Sequence, residues 1–145
     1  MPEPVSDAIA REIDALLDAY DRELEYFETT AAILAPLMRD LLAAIDAAFA
    51  APADPQVREG ARNARARYVD ALAGLRPLLD DWVRIRGSNW RAWEAEHAMS
   101  DAQYARLERL AARETALALG RDDFDRLQEK VRGRLLLFEE ADRGR

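Results

Sequence analysis

The sequence predicts an all-α protein: an elongated antiparallel bundle of three long helices, the first two kinked at Pro36 and Pro77, with a short connecting helix. Three observations predict it. Apolar and alanine positions recur every three or four residues along most of the chain. Nowhere do apolar and polar residues alternate as a half-buried strand requires. Proline, glycine and serine fall where helices start and stop. Across 145 residues this describes a single helical domain, 1–145, long enough to bury a core.

The first helix is expected over 6–49, with Ser6 as its N-cap and Asp7 favouring the dipole of the first turn. Its stripe is Ile9, Ile13, Leu16, Tyr20, Leu24, Phe27, Ala31, Leu34, Met38, Leu41, Ile45 and Ala48. Such a helix is roughly 66 Å long, whereas a compact domain of this size is roughly 40 Å across. Pro36 disfavours helix locally, but the stripe keeps phase across it, which predicts a kink and an elongated molecule.

Residues 50–54 form a short connection, and Asp54 followed by Pro55 is a favoured helix start. The second helix is expected over 55–86, with Val57, Ala61, Ala64, Tyr68, Ala71 or Leu72, Leu75, Leu79 and Trp82 inward. It ends at Gly87-Ser88-Asn89. A short connection makes helices one and two an antiparallel hairpin. That register sets Trp82 near Leu24–Phe27, and Arg58, Arg65, Arg76 and Arg84 level with Asp46, Asp40, Glu28 and Asp21.

A short helix is expected over 89–98. Ser100-Asp101-Ala102-Gln103 then reads as a capping box opening a third long helix, 101–141. Its stripe runs through Tyr104, Leu107, Leu110 or Ala111, Leu117, Gly120, Phe124, Leu127, Val131, Leu135 and Phe138. Phase continuity favours one helix, weak at Gly120, over a break with Asp122 capping a fourth.

Charge narrows the function. The formal net charge is -7, with 20 arginines and one lysine. Residues 1–49 alone carry 11 acids against 3 arginines. Such acidity argues against general affinity for nucleic acid or anionic membrane. No run approaches the ~20 apolar residues of a membrane helix, and the N-terminus has no secretory pattern. The chain has no cysteine, which excludes disulfides and fits a reducing compartment; a cytoplasmic protein is expected. With three serines, one histidine and no glycine-rich phosphate loop, enzyme chemistry has little to stand on, and no cofactor is expected. Arg58, Arg62, Arg65 and Arg67 make a basic stripe, but it lies on a helix expected to face an acidic one.

Two segments could bind something. Trp82, Trp90 and Trp93, with Arg86 and Arg91, are either a hydrophobic plug closing one end of the bundle or an exposed anchor for a protein partner. Tryptophan and arginine are the residues most enriched at such anchors. Glu94-Ala95-Glu96-His97 contains E-x-x-H, the pair by which one helix supplies carboxylate and imidazole to a metal. With Glu23 or Glu28 as a bridging ligand, Glu94 and His97 resemble the metal-binding helix of ferritin-like proteins. Those folds need two such helices, and one chain has one histidine.

Residues 114–138 carry a second resemblance. Glu114, Ala116-Leu117, Gly120, Asp122, Leu127, Lys130 and Leu135-Leu136 are similar to a pattern in flagellar export chaperones, where it lies near the N-terminus rather than the C-terminus. That resemblance implies a small cytoplasmic helical protein holding an unassembled partner. The function expected is a non-enzymatic helical interaction module, adaptor or chaperone-like, that also associates with itself. Leu135 to Phe138 supports self-association, because a consecutive apolar run cannot be covered by one side of a bundle. A carboxylate/histidine metal-binding helical protein is the alternative.

Overall fold

A computed structural model describes the backbone of residues 4–144 and the side chains of 7–144. Among the described residues all regular structure is helical: α1 (Pro4–Ala50), α2 (Pro55–Ile85), α3 (Ser88–Glu94), a 3₁₀ turn (Glu96–Ala98), α4 (Asp101–Thr115) and α5 (Arg121–Arg143). Among the described residues, no helix is long and apolar enough to cross a membrane.

Local sequence signals account for most helix boundaries. Asp54 Oδ1 accepts the Gln56 N–H at 2.8 Å, the cap expected ahead of Pro55. At Ser100 the capping box closes in both directions: Gln103 N–H donates to Ser100 Oγ at 3.2 Å, and Ser100 N–H donates to Gln103 Oε1 at 3.0 Å. The expected cap at Ser6 is not one. α1 begins at Pro4 and takes Ser6 into its first turn.

Both long helices continue through their prolines. Pro36 and Pro77 lie on exposed faces, as do Ala32 and Ala73, four residues earlier. Each proline deprives one of those carbonyls of its ladder donor. On a wet face, water replaces that donor cheaply.

The single third helix does not form. α4 ends at Thr115 and α5 starts at Arg121, with Gly120 extended (φ -72°, ψ 163°) as its N-cap. Asp122, the cap expected for a separate helix, instead falls in the first turn of α5 beside Asp123. The Leu117 N–H donates to the Glu114 carbonyl at 3.3 Å, a tightened last turn that closes α4. Periodic spacing survives the break because α4 and α5 each bury one apolar face.

The chain divides into two compact units, Met1–Glu28 with Pro77–Ala118, and Thr29–Arg76 with Leu119–Arg145. In the first, Ile13, Leu17, Tyr20 and Leu24 of α1 pack with Ala92 of α3 and Leu107 and Leu110 of α4. Ala95, Met99 and Leu117 lie against this core. Tyr26 pairs with Asp81, and Glu23 with Gly87, so α1 and α2 run in opposite directions here. Asp14 pairs with Gln103 and Asp18 with Arg106, so α4 runs with α1.

The second unit buries Leu34, Met38, Leu41 and Ile45 of α1 completely. It adds Ala61, Ala64, Tyr68 and Leu75 from α2, and Phe124, Val131 and Phe138 from α5. Arg62 with Asp142, and Arg65 with Glu139, set α5 opposite in direction to α2.

The register between α1 and α2 does not decide which ion pairs form. Arg113 of α4 takes both Asp21 (2.6 Å) and Glu28 (2.8 Å), Arg134 of α5 takes Asp46 (3.5 Å), and Arg65 reaches Glu139 rather than Asp40. Arg84 turns to Asp81 on its own helix. Asp21, Glu28 and Asp46 of α1 are therefore met from the third segment of the chain. Carboxylates at one level of α1 have two neighbouring helices to choose from, and a two-helix register ignores the second.

Candidate functional site

α3 is only seven residues long, and the turn before it fixes where it points. Gly87 adopts φ 87°, ψ 8°, a left-handed conformation that costs a side-chain-bearing residue strain. Its N–H donates to Glu23 Oε1 at 3.4 Å, and Glu23 is 1 % exposed within α1. The buried Ser88 hydroxyl donates to the Ile85 carbonyl, tying the start of α3 to the end of α2.

Ser88 and Ala92 are buried, which fixes one face of α3 inward. At 100° per residue, Trp90 falls on the opposite side and Trp93 on the flank. Trp90 is 71 % exposed and Trp93 37 %. Neither is a core plug.

Trp82 separates from them. It is half-buried, and its ring meets Phe27 edge to face, with centroids 6.1 Å apart and planes at 66°. This is the neighbour the sequence register indicates. The three tryptophans thus divide into one packing residue and two surface residues.

Arg86 and Arg91 are both exposed, and Arg91 Nη2 donates to the Arg86 carbonyl at 3.3 Å. Beside them opens a shallow groove of about 390 Å³. Ala15, Leu16 and Ala19 of α1 and Ile85 of α2 make it apolar, and Glu12, Arg84 and Arg91 charge its rim. The spacing of the stripe predicts Leu16 in the core and gives no sign of the groove. Leu16 is half-exposed, and its neighbour Leu17 takes the buried position. The only available signal was that Leu16 and Leu17 are consecutive, so one of them had to lie off the stripe.

The metal-ligand set is not assembled. Among the described residues, no group of three or more histidine, aspartate or glutamate side chains could hold an ion. Glu94 is the last residue of α3, while His97 lies in the following 3₁₀ turn, and both are exposed. The helix that would present them together ends between them. Glu23 is engaged with the Gly87 turn, and Glu28 accepts from Arg113.

Two of the four arginines of the basic stripe on α2, Arg62 and Arg65, are matched by acid. The Arg62 fork donates to both oxygens of Asp142, at 2.9 and 2.7 Å, and Arg65 Nε reaches Glu139 at 2.6 Å. The hydrogen bond to Asp142 holds the Arg62 proton more tightly than usual.

The geometry can offer aromatic surface, guanidinium donors and an apolar groove, which suits recognition. No protein-family model, curated protein or solved structure matches the chain.

Proposed function

We propose that the protein is a non-enzymatic helical interaction module, an adaptor or chaperone-like binder that also associates with itself. In this reading its three helical layers form an antiparallel bundle, with the long helices bent at Pro36 and Pro77. A protein partner docks on the outer face of α3, anchored by Trp90 and Trp93, with Arg86 and Arg91 donating hydrogen bonds at the rim. The observation that carries the reading is the outward display of two tryptophans on a helix whose other face is buried. Exposed large aromatics beside arginine are the composition of interface anchors, and water solvates them poorly until a partner covers them.

The test is site-specific photo-crosslinking in cells from position 90, compared with the same probe at exposed position 109 of α4. A discrete protein adduct from position 90 alone supports the proposal, provided Trp93→Ala with Arg91→Ala removes it without loss of helical circular dichroism. Identical adducts from both positions, or none, would overturn it.

A further inference from the structure

The outer face of α5, in the second unit, carries an unpartnered apolar patch. Leu136 is 60 % exposed and Leu137 54 %. The pairs Arg62–Asp142 and Arg65–Glu139 set Val69 of α2, which is also exposed, level with Leu135. On the same face lie Lys130, Gly133 and Glu140, all exposed. An added Cβ at Gly133 would meet nothing within 4 Å, so the helix surface there is a notch open to solvent. Among the described residues, neither Lys130 nor Glu140 is in an ion pair.

We propose that this face binds a second copy of the chain, with the two α5 helices antiparallel about a two-fold axis at the level of Leu135. The inference rests on the self-association reading above and names its surface. The register follows from two independent complementarities. Leu137 fits over the notch at Gly133 of the partner subunit, and those two positions are centred on 135. Lys130 faces Glu140 of the partner subunit, and those are centred on 135 as well. One axis therefore satisfies both, and two-fold symmetry makes each contact twice. Near the axis, Leu136 meets Leu136 of the partner subunit, flanked by Val69 from each α2. A small residue under a large one lets helices approach closely, and the flanking charge pairs select antiparallel over parallel docking.

A charge swap followed by analytical ultracentrifugation of the full chain tests this. The wild type should sediment as a dimer of about 33 kDa, twice 16.4 kDa. Lys130→Glu and Glu140→Lys should each raise the dissociation constant about tenfold, and the double swap should restore it. Because the chain has no cysteine, Gly133→Cys mixed with Leu137→Cys should form an intermolecular disulfide on mild oxidation, faster than either variant alone. A monomeric wild type would remove the self-association reading and this inference together. A dimer indifferent to both charge swaps, with no preferred 133–137 cross-link, would overturn this surface and leave self-association elsewhere.

Discussion

The Trp82 indole stands edge-on to the Phe27 ring, 6.1 Å between centroids, joining α2 to α1 within the first unit. Edge-to-face pairs contribute about 1 kcal/mol beyond the area they bury. Trp82 also covers apolar surface beside the buried Phe27. Trp82→Ala should therefore cost about 2 kcal/mol of unfolding free energy, less than a fully buried tryptophan because Trp82 is half-buried. Trp90→Ala should change stability by under about 0.5 kcal/mol. Urea unfolding of both variants checks the contrast, and equal losses would mean that the outer face of α3 is packed after all.

Tyr26 donates its phenol to Asp81, and the bond shifts both groups. It holds the Asp81 carboxyl below its ordinary 3.8 and pushes the Tyr26 phenol above its ordinary 10.0, with burial adding to the latter. The depressed Asp81 contributes stability above the unfolded carboxylate value, lost as pH falls through its folded value. The raised Tyr26 contributes below 10.0, lost as pH rises through its folded value. Tyr26→Phe should thus be destabilising between about pH 5 and 9, and the gap to wild type should narrow at both extremes. Denaturant midpoints across pH measure it, and a pH-independent gap would show that the bond does not persist in solution.

Gly87 is the single left-handed residue among those described, so Gly87→Ala should cost about 1 kcal/mol or more in backbone strain. Nothing surrounds the site where the new methyl would stand, so the loss would be conformational rather than steric. Because this turn aims α3, the proposed docking on α3 further expects the same variant to weaken the position-90 cross-link. Gly87→Asn should recover part of both losses, since asparagine tolerates this region better.

At the start of α4, Gln103 closes the capping box and also donates Nε2 to the Ala10 carbonyl at 3.1 Å and to Asp14 Oδ1 at 2.9 Å. Ser100→Ala should cost about 1 kcal/mol through the lost cap. Gln103→Ala should cost more, because it removes the reciprocal cap and the tie to α1 together. Thermal melts of the two variants compare them directly.

Much of the architecture was legible in the residues because it is local. Asp54-Pro55, Gly87 and the Ser100–Gln103 box act within a few bonds of themselves, and the stripe from Ile13 to Ala48 is buried almost as its spacing indicates. Even the Trp82–Phe27 contact followed from a short connection and helix pitch. The separation of α4 from α5 was only partly legible: Gly120 marked the weak point, but two short amphipathic segments and one long one leave the same periodic trace.

The α3 site was half legible. Composition picked out Trp90, Trp93, Arg86 and Arg91, but whether the tryptophans faced in or out depended on how the Gly87 turn rotates a seven-residue helix. The caps at Asp54 and Ser100 and most of the burial stripes follow from the chain's own short-range chemistry. Which arginine meets Asp21, which of Leu16 and Leu17 goes inward, and which face of α3 meets water were settled by three-dimensional packing. The physical reason is distance along the chain: a cap or a stripe is read within one or two turns, whereas Arg113 is 92 residues from Asp21 and competes there with every cation the fold brings near.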